Sequence, residues 1–286
     1  LHPPGPEKVL EDFGIEPEEF KEVSLLQYVK DRVEQFDEVP TTEGIFAPWA
    51  FYKKDFQEIG GHDPIFAPQS KEDTDIFNRF QLNGIKFIQT WEGFVYHMTC
   101  RGSRFADGAK RNPSGEVFMK NRETSEWLTQ NQKSTREFIR KWGHFCKHDE
   151  LMKPIVPPLY DVGFIIKNCN MQLLEALEPW CSTMYTDDQL ARDNYINMEQ
   201  PKTSFHLGDK IKPYDNEKNN HILVEIDGNR FTNNDFRVIQ TLSEILANDD
   251  QLWATILIEP THFTIENLQV TIISLQTYEQ GLICNE

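Results

Sequence analysis

The stretch beyond residue 161 sets the tightest limit on what this chain can fold into. Short apolar runs, VGFII from Val162, HILVEI from His221 and LQVTIISL from Leu268, alternate with helical patterns at Met171–Trp180 and from about Asp235 to Ala247. Runs of that length are strands, and the second helical pattern keeps Phe236, Ile239, Leu242 and Leu246 on one side, so the strands need helices packed against them in an α/β layer structure. A further strand is expected near WATILI (253–258), and a polar connector between Cys181 and Asn220. The proline-rich KPIVPPLYD (153–161) precedes the alternation and reads as extended chain, which places a boundary between residues 1–152 and 153–286.

The first part has a different texture. A turn and then a charged helix with Leu25, Leu26, Tyr28, Val29 and Val33 on one side are predicted before a break at Thr41–Gly44. A short helix around Lys54–Ile59 runs into Gly60-Gly61, and Ser70 is placed to cap a helix whose first turn carries Glu72, Asp73 and Asp75. Ile76, Phe77 and Phe80 form its apolar side and Gly84 stops it. KFIQT and GFVYHM read as strands and 116–148 as helical, with Trp127, Leu128, Phe138, Ile139 and Trp142 as its apolar positions. Apolar residues are only 38% of the 286, but 20 Phe, 8 Tyr and 6 Trp supply bulky core material, which rules out disorder throughout. No run approaches the roughly 18 apolar residues of a membrane span. The five cysteines are scattered without a C-x-x-C pair, so the expected setting is a reducing cytoplasm. The opening LHPPGPEKVLEDFG, starting at Leu1, suggests a chain that begins inside a longer protein.

The net charge of −17 excludes a general nucleic-acid binder, since phosphates repel an acidic surface. One basic island interrupts the acidity: residues 101–147 hold 11 bases and 5 acids. Its Arg101, Arg104, Lys110 and Arg111 stand among Gly102, Gly108, Pro113 and Gly115, so they form either a solvated basic loop or a loop that meets a small anion such as a diphosphate.

The chemistry concentrates in one spacing: Gly60-Gly61-x-Asp63, Glu72-Asp73-x-Asp75, Arg79, Gly84 and His97. A Gly-Gly turn allows close backbone approach to a ligand. A carboxylate on the first turn of the next helix can serve as general base toward a hydroxyl, and a histidine at a strand end can complete a metal or phosphate site.

Residues 44–105 thereby resemble the acceptor-side half of family 2 glycosyltransferases of the GT-A fold, which share a Gly-Gly-x-Asp, Glu-Asp-x-Asp, Arg, Gly pattern and a later His. The resemblance implies a partial GT-A (Rossmann-like) domain in 1–152, followed by a second, smaller α/β domain of unassigned role. It implies inverting transfer of a sugar from a nucleotide-sugar donor to a glycan or other hydroxyl acceptor. Asp73 of the Glu72-Asp73 pair matches the catalytic base, Gly60 and Gly61 the acceptor-side turn, Trp49 and Asp63 sugar contacts, His97 a ligand to the divalent ion (Mn²⁺ or Mg²⁺), and Arg101 and Arg104 the loop closing over the donor diphosphate. Such enzymes hold their metal mainly through an Asp-x-Asp that ends a nucleotide-binding βαβ half. No such half precedes residue 44, and Asp73-Thr74-Asp75 sits at a helix start, so this chain is expected to lack the donor-binding half.

Plainer readings stand beside these. Glu72, Asp73 and Asp75 can be an ordinary acidic first turn, His97 a satisfied strand-end histidine, and Trp49 core; the alternative function is a non-catalytic carbohydrate- or protein-binding module. His144, Cys146 and His148 have the spacing of zinc ligands on one helical face, or of an ordinary surface helix. Asp227, ending the HILVEI strand, is a weaker metal candidate because Asn229 stands where a second acid would be.

Overall fold

A computed structural model describes residues 11–35, 41–45, 48–97, 109–111, 113–114, 117–119, 124–248 and 260–284. Within these residues the chain is mixed α/β, with a six-stranded sheet that lies wholly in the second part.

Four parallel strands build most of that sheet: β5 (Val162–Lys167), β6 (Thr183–Thr186), β7 (Ile211–Pro213) and β8 (Ile222–Asp227). The hairpin of β9 (Thr261–Ile265) and β10 (Leu268–Ile272) adds antiparallel to β8, giving the order β7-β6-β5-β8-β10-β9. β5 is buried at five of its six positions, as expected of a central strand covered on both faces. The polar connector expected at 181–220 is instead β6, the helix α6 (Gln189–Glu199), the single-turn α7 (Leu207–Lys210) and β7. Polar capping residues hid these elements: Asp188 caps α6 by accepting from the Ala191 N–H. The helices α5 (Met171–Leu177) and α8 (Asn233–Ala247) fall where the periodicity placed them. α8 opens with a reciprocal capping box between Thr232 and Asp235, and Asp235 also receives two hydrogen bonds from Asn267 in the β9–β10 turn. WATILI lies outside the described residues.

The first part contains α1 (Glu22–Val33), α2 (Lys53–Glu58), α3 (Glu72–Leu82) and α4 (Ser125–Trp142), with two small antiparallel ladders. One pairs β1 (Thr41–Thr42) with β2 (Gln89–Thr90), and the other pairs β3 (Ala109–Arg111) with β4 (Val117–Met119). Hence KFIQT contributes a two-residue strand and Gly93–His97 none. The latter run is tied down through Tyr96, whose hydroxyl accepts from the Phe13 N–H and donates to the Gly14 carbonyl. The helix expected over 116–148 is shorter at both ends: Val117–Met119 is the strand β4, Thr124 caps the helix start, and Gly143 ends it in a left-handed conformation.

α4 joins the two parts. Its Phe138 and Trp142 pack with Phe66 of the first part, while Ile139 belongs to the core beneath the sheet. Arg136 and Arg140 reach across to Glu178 and Glu199. No helix among the described residues is long and apolar enough to cross a membrane.

Candidate functional site

Gly60 and Gly61 both adopt left-handed φ angles, +76° and +71°, which glycine tolerates without a Cβ penalty. They let the chain reverse after α2 so that two backbone carbonyls converge on one side chain. Arg79 donates to Ile59 O and, at 2.7 Å, to Gly61 O. Its Nε and Nη2 grip Asp75 Oδ2 at 3.0 and 2.7 Å, and both side chains are fully buried. Asp75 Oδ1 accepts from Trp142 Nε1 at 2.9 Å and pairs with Lys141 Nζ at 2.8 Å. Lys141 also holds Asp63 Oδ2 at 2.7 Å, and Asp63 Oδ1 caps the Ile65 N–H. Half of the sequence spacing thus builds one buried clamp. A fully paired charge cluster of this kind fixes geometry even where it adds little net stability.

The clamp leaves Glu72 and Asp73 as the acids of the motif that no cation binds among the described residues. Ser70 does not cap α3: the N-cap is Lys71, without a side-chain bond, and Ser70 Oγ donates to Asn131 Oδ1 at 2.8 Å. Ser70 and Lys71 have φ angles of +83° and +76°, a conformation that costs a non-glycine residue about 1–2 kcal/mol and persists only where surrounding structure holds it. α4 supplies the hold. Gln130 donates to Gln69 O, Ser134 Oγ donates to the same carbonyl at 3.0 Å, and Asn131 receives Ser70 and Lys71.

Burial raises the pKa of Glu72, with the neighbouring Asp73 adding to the rise. One Glu72 carboxyl oxygen, Oε2, is buried without a hydrogen-bond partner. Asp73 keeps an exposed surface, yet crowding by protein atoms pushes its pKa up too, opposed by the nearby His62 imidazole. A carboxylate raised toward neutrality is a stronger base when ionised, as proton abstraction from a hydroxyl requires.

An aromatic run leads to the same place. The half-buried Trp49 stacks on Phe51 with centroids 5.2 Å apart and meets Phe77 edge-on. Phe51 contacts Phe56, whose ring meets His62 at 5.4 Å. Phe51 and Tyr52 remain 39% and 76% exposed, so the run offers apolar surface beside the Gly-Gly turn.

The structure therefore gathers Trp49, Gly60, Gly61, Asp63, Glu72 and Asp73 around α3. His97 is exposed and follows the anchored Tyr96; Arg101 and Arg104 lie outside the described residues. Among the described residues no group of three or more His, Cys, Asp or Glu is arranged to hold a metal ion. Asp75, the second acid of Asp73-Thr74-Asp75, is fully engaged by cations and an indole, so these residues do not fit a divalent-cation site and no step is assigned to one. His144, Cys146 and His148 lie beyond the end of α4 rather than on a helical face, and Asp227 is occupied by Asn168 Nδ2 and the Asn229 N–H. Sequence reading gave no role to His62, Asn131 and Lys141, placed Arg79 in the spacing without a partner, and read Trp142 as an apolar helix position only. Only the i,i+4 spacing of Asp75 and Arg79 announced a pair; the α4 residues are distant in sequence and carried no local signal. No family model, curated protein or solved structure matches the chain.

Proposed function

We propose that the chain is the acceptor-side part of a GT-A-type glycosyltransferase in which Asp73 is the general base. The observation that carries this reading is the unclamped Glu72-Asp73 pair, raised in pKa and presented by a braced left-handed turn beside the Gly-Gly turn and the Trp49–His62 aromatic run. In this reading the acceptor sugar lies against Trp49. Asp73 takes the hydroxyl proton as the oxygen attacks the anomeric carbon from the face opposite the departing diphosphate, giving inversion. Burial keeps the Asp73 carboxyl basic, and its charge in turn raises the pKa of the neighbouring Glu72. Donor binding and any divalent cation belong to residues not assigned by this geometry.

The test is Asp73→Asn in the complete protein with its nucleotide-sugar donor. General-base catalysis is worth about 10²–10⁴-fold, so kcat falls by that factor while donor affinity stays unchanged; retention within a few-fold removes Asp73 from the chemistry. The exposed Phe51 and Tyr52 favour a second reading, a carbohydrate-binding module without turnover. That reading requires acceptor-glycan binding that is lost in Trp49→Ala and no transfer in the wild type.

A further inference from the structure

We propose that Asn131 of α4 is the positioning residue of the Glu72-Asp73 pair, and that the 153–286 part acts on this site by holding α4 in place. The inference rests on the functional reading above only for the word site; the mechanical claim stands on geometry. Ser70 and Lys71 are consecutive non-glycine residues in the left-handed region, directly before the acids. Their side chains converge on one acceptor atom, Asn131 Oδ1, at 2.8 and 3.5 Å. The neighbouring Gln69 carbonyl accepts from Gln130 and Ser134, one helical turn of the same face. The turn that aims the carboxylates is thus fastened to α4.

α4 is in turn immobilised from the other side. Arg140, 1% exposed, donates to both oxygens of the fully buried Glu178 and to Glu199. Arg136 binds Glu199 at 2.8 Å, the Glu175 carbonyl at 2.7 Å and the Tyr195 hydroxyl. These partners lie on α5, on the turn after it and on α6, all in the second part. The path from the sheet to the acids is therefore continuous: Glu178 and Glu199, Arg140 and Arg136, α4, Asn131, Ser70-Lys71, Glu72-Asp73. This gives the second part a task that its own motifs do not reveal.

The test compares Asn131→Leu, which removes the acceptor, with Asn131→Asp, which keeps an acceptor oxygen at the same place. The readouts are backbone ¹⁵N order parameters of Gln69–Asp73 and the carboxyl ¹³C titrations of Glu72 and Asp73 in this chain. Order parameters near 0.85 mark rigid backbone and values below about 0.6 a flexible one. Asn131→Leu is expected to lower Gln69–Asp73 below 0.6 and shift at least one carboxyl pKa by half a unit or more, with Asn131→Asp retaining the five order parameters and Ser70→Ala reproducing the loss from the loop side. Since Ser70 lies outside α4, its variant decides the matter if Asn131→Leu disturbs folding. Unchanged order and titration in Asn131→Leu and Ser70→Ala overturns the proposal, and so does equal loss in Asn131→Leu and Asn131→Asp. Neither readout involves turnover, so absence of transferase activity refutes the functional reading without touching this one.

Discussion

Glu178→Gln is the perturbation that most directly tests how the two parts are held together. Glu178 is fully buried and accepts from Arg136, Arg140, Lys210 and the Tyr195 hydroxyl, the closest contacts being 2.6 Å from Arg140 and 2.8 Å from Lys210. Burial by itself would raise its pKa; Lys210 and Arg140 outweigh that and hold it near 2, against 4.5 for a free glutamate. At about 1.4 kcal/mol per unit the depression corresponds to about 3 kcal/mol of pH-dependent stability. The unfolded chain takes up this proton first, so the contribution is complete above pH 4.5 and drains away as pH falls toward 2. Replacing the carboxylate by an amide also takes the buried counter-charge from Lys210, 10% exposed, and leaves Arg140, 1% exposed, with Glu137 and Glu199 alone, and breaking a buried pair in this way costs about 3–5 kcal/mol. Urea unfolding followed by tryptophan fluorescence is expected to show that loss at pH 7 with an unchanged m value. The gap between wild type and variant is expected to narrow as pH is lowered from 5 toward 3. Taking the difference cancels the carboxylates that share no partner with Glu178; Glu199, which shares Arg136 and Arg140, is controlled for by the same titration in Glu199→Gln. A gap below about 1 kcal/mol at pH 7, or one that does not narrow with acid, refutes the ionic account of the junction.

Further outcomes follow from individual contacts. His144 is buried, its Nε2 has no partner, and burial lowers its pKa to about 4; the unfolded chain therefore binds the extra proton, and stability is expected to fall as pH drops from 6.5 toward 4, with His144→Phe flattening that slope in denaturant titrations. Gly228→Ala is expected to destabilise by about 1–3 kcal/mol in thermal unfolding, because its Cβ would stand 2.2 Å from the Asn168 carbonyl oxygen, a backbone atom that cannot swing aside. Trp142→Phe removes one donor to the buried Asp75 and is expected to cost about 1–3 kcal/mol of stability, measured by urea unfolding.

Legibility in the sequence followed the range of the interactions. β5 and β8 were readable because burial on both faces demands near-continuous apolar runs, and α8 because its apolar side repeats at helical spacing. β6 and α6 were not, since Thr183, Thr186, Asp187 and Asp188 make that stretch look like loop while their polar groups are consumed locally: Asp187 receives the Asn168 and Cys169 N–H groups, and Asp188 caps α6. At the candidate site the spacing of Gly60, Gly61, Glu72 and Asp73 was visible, but it mixed two kinds of residue. Asp63, Asp75 and Arg79 bond to the turn and to α4, whereas Glu72 and Asp73 do not. Nothing local distinguishes Asp73 from Asp75, two positions apart on one helix start; the difference is made by Lys141 and Trp142, 66 and 67 residues beyond Asp75.

The sheet order sharpens the question of where a nucleotide could be held. In open α/β sheets ligands enter the crevice outside the carboxyl ends of the strands, at the point where strand order reverses. Here that point lies between β5 and β8, with Lys167-Asn168 on one side and Asp227-Gly228 on the other. The two strand ends are tied to each other there: the Gly228 N–H donates to the Lys167 carbonyl at 2.9 Å, Asn168 Nδ2 binds Asp227, and the Asn168 carbonyl fills the space a Cβ at 228 would need. The layer that flanks this sheet is engaged elsewhere: α5 and α6 are the anchor points for Arg136 and Arg140 of α4, and α4 in turn bonds the turn before Glu72 and Asp73 through Asn131 and Ser134.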